Sequence, residues 1–420
     1  MWGATASHAQ PAPEPRPAHP LFGAADPRDP PPGLENGGLT FSGVLFGGYD
    51  DSLLSGNGLV TPPYFAGRSP VSGTYTGYFG RLVFDRLSDH LNLRADVSST
   101  GRYYPGYGEF VLGRQMIDLS LGSTTSPWRG AHLSTGGAAQ YARFDTPYRA
   151  LAPIPDDPMG FTEGAGDINL RSVNTVLGSV HLEQEWSRRG SVGLFAGAST
   201  SEIDGGERWY SYEVGGTYTA KVARYGQFRA GYTRHEIDRG IVRYAVHDVN
   251  LGGDYARPLS ASRRAYLTLR GGTTAIESRD SLRVYAVADA ALRYQFKRSW
   301  TGGVRYYRGI TFVDEITEPL VSDNLLGRVD GLLSPRLELL VSGFYGRGDV
   351  GLSPLARNYE MSSASTQLRF AVSRTVAIHA AYLFYHYHFP ASVLVTGNLP
   401  PKYYRQAVRV GISFNTRLIN

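Results

Sequence analysis

Cysteine is absent from the 420-residue chain. That excludes a disulfide scaffold, thiolate metal sites and cysteine nucleophiles. Lysine is nearly absent too: only Lys221, Lys297 and Lys402 stand against 39 arginines. No apolar run approaches the eighteen or so residues that a membrane helix requires, and no helical period of any strength appears. Recognisable catalytic punctuation is also missing, with no Gly-x-Ser-x-Gly elbow, phosphate loop, zinc-ligand spacing or haem-attachment motif. An enzyme is therefore not expected, and neither is a cofactor or a metal.

What the chain does have is alternation. In the last segment, YYRQAVRVGISFNTRL (403–418), Val408, Val410, Ile412 and Phe414 fall on one face, while Ala407, Arg409, Gly411, Ser413 and Asn415 fall on the other. A period of two over this length is a β-strand with one apolar and one polar side. An arginine amid the small residues is out of place in a packed soluble core, but ordinary if that face meets water and the other meets lipid. The same pattern recurs. Leu91, Leu93, Ala95 and Val97 oppose Asn92, Arg94, Asp96 and Ser98, and Ala286, Ala288, Ala290, Leu292, Tyr294 and Phe296 oppose Val287, Asp289, Ala291, Arg293 and Gln295.

About eighteen such segments can be drawn, with sixteen as the alternative count. They begin at 39–50, 74–86, 90–101, 112–123 and 131–144, resume at 167–186, and end with 360–373, 375–388 and 403–418. Short turns such as Leu87-Ser88-Asp89, Ala223-Arg224 and Ser334-Pro335 alternate with longer connections at 51–73, 102–111, 145–166, 202–208, 313–320, 347–359 and 389–402. Short–long alternation, an even count and strands of a dozen or more residues predict an all-β, antiparallel up-and-down transmembrane barrel over 39–420. Its two termini would lie in the periplasm. A propeller would repeat by four-stranded blades, and no blade motif is seen. Residues 1–38 are rich in Pro and Ala without periodicity, and read as a disordered lead-in. Ser7-His8-Ala9 resembles the tail of a signal-peptide cleavage site, giving a remnant at 1–9.

The chain end YYRQAVRVGISF and the mid-chain stretch HDVNLGGDYARPLSASRRAYLTLRGG (247–272) resemble outer-membrane β-barrel proteins of Gram-negative bacteria. Some groups of these are associated with exopolysaccharide export. The resemblance implies lipid and the barrel-assembly machinery as partners, and periplasmic export machinery in the case of a polymer conduit. The chain departs from the usual aromatic ending by finishing Leu418-Ile419-Asn420, so Phe414 is the candidate for that role.

A barrel of this size encloses water. On the alternation, the pore-lining candidates are Arg94, Asp96, Glu213, Arg229, Asp248, Asp254, Arg270, Asp289, Arg293, Arg328, Asp330, Arg369 and Arg409. Opposed charges across a pore select ions; equally, they can satisfy one another as a salt-bridge network that stiffens the wall. The loops at 51–73 and 145–166 are candidates to cap or constrict the mouth; equally, 145–166 can be a surface loop exposed outside. The arginines are dispersed among acids, which argues against nucleic acid. His379, His386 and His388 share a segment with Tyr382, Tyr385 and Tyr387, yet 379 has the opposite parity to the other two, so the histidines cannot converge on a metal. They read instead as neighbours of interfacial aromatics. A hydrolase would need Ser, His and a carboxylate or carboxamide converging from neighbouring strands, which spacing neither places nor excludes. The functions that follow are a channel for anionic small solutes, an exporter of acidic polysaccharide, a plugged barrel acting as scaffold or partner-dependent conduit, or a membrane-embedded hydrolase. Oligomeric state is not encoded in these features.

Overall fold

A computed structural model describes residues 38–51, 72–88, 90–105, 109–143, 172–203, 207–238, 243–260, 263–278, 281–297, 299–311, 319–351, 358–389 and 402–419. The proposed lead-in (apart from Gly38), its signal remnant and the 145–166 loop lie outside these residues, as does nearly all of 51–73. The eighteen strands are β1 (Gly38–Asp50), β2 (Gly73–Leu87), β3 (Leu91–Tyr104), β4 (Glu109–Thr125), β5 (Ala131–Arg143), β6 (Ser172–Ser187), β7 (Gly190–Ile203), β8 (Glu207–Ala223), β9 (Gly226–Asp238), β10 (Arg243–Ser260), β11 (Arg263–Ser278), β12 (Ser281–Lys297), β13 (Trp300–Thr311), β14 (Leu320–Ser334), β15 (Leu337–Val350), β16 (Asn358–Ala371), β17 (Val376–His388) and β18 (Lys402–Ile419).

Each strand pairs antiparallel with its neighbours in sequence, and β1 pairs with β18 from Leu39↔Ile419 to Asp50↔Ala407. The sheet therefore has no free edge, which satisfies every strand's backbone groups within the protein. The count is eighteen, and sixteen is excluded. Strand ends differ from the expected ones by a few residues. β4 begins at Glu109 and not at 112, β6 begins at Ser172 and not at 167, and Gly38 already belongs to β1. The short–long rhythm is uneven: 126–130 on the tight-turn side is longer than 204–206 on the other side. Only residues 279–280 separate β11 from β12 on the side where the longer connections lie.

Along the described strands, exposed apolar residues alternate with buried or polar ones. Outward positions include Leu45, Val97, Leu119, Leu121, Val176, Leu194, Val214, Leu251, Leu269, Val304, Leu325, Ile378 and Val410, most of them about half exposed. This apolar surface encircles the molecule, far beyond the few hundred Å² that a monomer normally shows to water. Many outward aromatics lie towards the two rims, although Tyr232, Tyr306 and Tyr382 sit at mid-strand. Tyr49, Tyr103, Tyr141, Tyr210 and Tyr404 lie towards the long-loop end, and Trp186, Tyr218, Phe228 and Phe370 towards the tight-turn end. An apolar band dominated by Val and Leu, with aromatics enriched towards both rims, is the outer face suited to a bilayer. The aromatics of β17 divide: Tyr382 faces outward, whereas Tyr385 and Tyr387 are 4% and 0% exposed and face inward. Those two are not interfacial, as the sequence suggested, because belt and lumen residues alternate along the same strand.

Candidate functional site: the charged inner wall

The pairing registers carry one inner face consistently around all eighteen strands. Arg94 and Asp96 on β3, Glu213 on β8, Arg229 on β9 and Asp248 and Asp254 on β10 all fall on it. So do Arg270 on β11, Asp289 and Arg293 on β12, Arg328 and Asp330 on β14, Arg369 on β16 and Arg409 on β18.

Most of these charges meet a partner across strands. Arg81 reaches over from β2 and its Nε donates to Asp96 at 2.9 and 3.0 Å. Arg94 lies 3.5 Å from Asp96 and 3.7 Å from Asp85. Arg305 of β13 forks onto both oxygens of Asp289 at 2.9 and 3.0 Å. Asp254 sits between Arg229, at 2.6 Å, and Arg270, at 3.6 Å. Arg328 holds Asp330 two residues along its own strand at 3.0 Å, and Arg369 pairs with Glu338. Forked guanidinium–carboxylate contacts are the stronger kind, and on a half-wet wall they fix geometry more than they add stability. Arg81, Asp85, Arg305 and Glu338 were not among the sequence candidates. Their parity within each strand was the available signal, but their partners depend on register between strands.

The joint between β18 and β1 is packed tightly. Arg405 Nε donates to both oxygens of Asp50 at 3.1 and 2.9 Å, and the two side chains are only 2% and 0% exposed. Next to them, Arg409 donates from Nε to the Tyr75 hydroxyl at 2.6 Å. Its guanidinium lies 4.7 Å from the Phe46 ring centre. Arg102 covers Tyr75 at 4.9 Å. Such cation–π contacts strengthen when desolvated. Glycines make the room. A Cβ at Gly48 would come within 2.6 Å of the Val408 carbonyl and 3.0 Å of Tyr75, and one at Gly77 within 2.7 Å of Phe46. Arg409 has inward parity but no exposed surface. It therefore braces the joint and touches no open lumen.

Half a turn round the barrel, the inner wall of β6 to β10 carries Glu183, Glu213 and Asp248, in addition to the clamped Asp254. There Ser211 and the Nε2 of His235 are 2.6 Å apart, and Thr274 donates to Asp248. Beside them lies an inward apolar cluster of Tyr244, Val246 and Ile276, with Tyr285 and Ile310 packed against it. Among the described residues, no group of three or more His, Asp or Glu could hold a metal ion. His379 is inward and 2% exposed, whereas His386 and His388 have the outward parity.

No family model matches the chain, and no curated protein matches it. Among solved structures it is similar to OccK2 (OpdF) of Pseudomonas aeruginosa, at 9% identity over 92% of this chain and 99% of that one, with a TM-score of 0.49. It is similar to OpdL of the same species at 14% identity, 91% and 99% coverage and a TM-score of 0.47. A third is OccAB3 of Acinetobacter baumannii, at 8% identity, 91% and 99% coverage and a TM-score of 0.46. At these identities and scores the similarities say nothing about activity, which is argued below from this chain's own residues.

Proposed function

We propose that this chain is an outer-membrane channel for small, preferentially anionic solutes, with its tight turns and both termini on the periplasmic side. One observation carries the reading: a closed eighteen-stranded barrel whose outer face is an apolar band and whose inner face is charged. The band matches lipid. Eighteen strands spaced about 4.8 Å apart and tilted by about 40° enclose a circle roughly 36 Å across between backbones. Arginines on one wall therefore cannot pair with acids on the opposite wall. On the β16–β3 side the inward Arg81, Arg94, Arg102, Arg369, Arg405 and Arg409 outnumber the acids they pair with, Asp50, Asp85, Asp96 and Glu338. Glu183, Glu213 and Asp248 face them, and that surplus directs a field across the lumen. The preference for anions rests on the more exposed guanidinium groups, Arg94 and Arg305, whose side chains are 40% and 39% exposed. These are always charged and well shaped for carboxylates and phosphates.

The test is the reversal potential of the refolded protein in a planar bilayer under a KCl gradient. Open steps with an anion-side reversal are expected, moving towards cations in Arg94→Glu and Arg305→Glu. A correctly folded barrel that never conducts would end the channel reading. A reversal indifferent to both substitutions would end the anion preference.

A further inference from the structure

The geometry points to an esterase site on the inner wall, with Ser211 as nucleophile, His235 as its base, and a carboxylic ester bearing an apolar acyl group as substrate. This does not depend on the channel reading.

Three consecutive strands supply the groups. Ser211 lies on β8, His235 on β9 and Asp248 on β10, all with inward parity. The Ser211 Oγ and His235 Nε2 are 2.6 Å apart, well inside the reach a nucleophile–base pair needs. With Nε2 as acceptor, the imidazole carries its proton on Nδ1. Asp248 follows on β10, diagonal in register to His235, and is itself tethered by the Thr274 hydroxyl. A nucleophile, a base and a neighbouring carboxylate are the recurring parts of acyl-transfer sites on unrelated folds. His235 is 9% exposed and so largely shielded from competing water, while Ser211 is only half-buried and remains reachable.

The surroundings specify the substrate. Val246 is the register partner of His235, and Ile237 that of Ser211. Beyond them, Tyr244, Val246 and Ile276 form the apolar cluster, with Tyr285 and Ile310 at its edge. Tyr244, Val246 and Ile276 are themselves almost fully buried, so the acyl chain of a bound ester would rest against the cluster's half-buried edge at Tyr285. The chemistry balances without a further reactant except water. Ser211 Oγ adds to the ester carbonyl carbon as its proton passes to His235 Nε2. The bond from carbonyl carbon to alkoxy oxygen then breaks, and the alkoxide leaves as alcohol with that proton. Water repeats the sequence on the acyl-serine, giving the acid and free Ser211. Ser211 and His235 are the catalytic residues, and Asp248 and Thr274 are positioning residues.

The experiment uses the full-length protein refolded in detergent micelles, with folding verified by the heat-dependent shift of its gel band. A fluorophosphonate probe and p-nitrophenyl butyrate are the reagents. The expected result is one probe adduct per chain, located at Ser211 by peptide mass spectrometry, together with ester turnover. Ser211→Ala should abolish both, and His235→Gln should slow labelling at least a hundredfold. Asp248→Asn should lower kcat at least tenfold with KM unchanged, with partial recovery in Asp248→Glu. Ser201→Ala, which removes an inner-wall hydroxyl that bonds Thr175 and no histidine, should behave as wild type. A folded wild-type barrel that neither labels nor turns over the ester overturns the proposal. So does an adduct elsewhere than Ser211, or labelling of His235→Gln at the wild-type rate.

Discussion

Replacing Asp50 by alanine isolates what closes the barrel. Arg405 and Asp50 join β18 to β1 through a forked contact with almost no solvent exposure. The adjoining backbone is bonded in both directions, since Asp51 N donates to the Gln406 carbonyl at 3.1 Å and Gln406 N to the Asp51 carboxylate at 2.6 Å. Removing the carboxylate leaves a guanidinium desolvated without that counter-charge, and breaking a buried pair in this way costs about 3–5 kcal/mol. Replacing both partners by apolar residues of similar volume avoids that penalty and is often neutral. Asp50→Ala should therefore lower the unfolding free energy by about 3–5 kcal/mol, whereas Asp50→Val with Arg405→Met should recover most of the loss. Arg208→Ala, which removes the exposed Arg208–Glu202 pair, should change nothing measurable. The assay is urea unfolding of the refolded barrel in lipid vesicles, followed by the fluorescence of its five tryptophans. A loss below about 1 kcal/mol, the level of a surface pair, would refute the reasoning. So would a double variant as unstable as the single one.

Other substitutions separate the barrel's faces. Gly48→Val should destabilise by roughly 1–3 kcal/mol through overpacking, since even a Cβ there meets the Val408 carbonyl and Tyr75. Gly80→Ala should be neutral in the same urea titration, having no atom within 4 Å of the added carbon. Leu194→Arg places a charge on the apolar band and should cost about 2–4 kcal/mol in vesicles. Ser199→Arg, on the inner face of the same strand, should cost little and should alter conductance instead. Asp289→Asn should release Arg305 from its fork and increase anion preference in the bilayer recording.

The sequence made the barrel legible because lipid outside and water inside impose the same two-residue period on every strand. That is why β18 could be read residue by residue and why the inward parity of Arg94, Asp289 or Arg369 was available without coordinates. Partnerships were not. Asp50 and Arg405 are 355 positions apart, and only closure of the sheet brings them together. Arg81 and Arg305 carry no local mark distinguishing them from other inward arginines. Ser211 and His235 sit diagonally across β8 and β9, where Ser211 pairs in register with Ile237 and His235 with Glu213, so their meeting depends on side-chain reach. Parity alone also could not tell an inward residue that meets the lumen from one, such as Arg409, that is sealed under Phe46 and Tyr75.

The measurement that tests the central claim most directly is thiol accessibility along β6 in lipid vesicles, made simple because the chain has no cysteine of its own. Ser179 and His181 have the inward parity, and Val180 and Leu182 the outward. Single cysteines at 179 and 181 should react with a water-soluble maleimide, while those at 180 and 182 should react only with a lipid-confined reagent. Equal reactivity at all four, or the reverse pattern, would contradict a barrel with water within and lipid without.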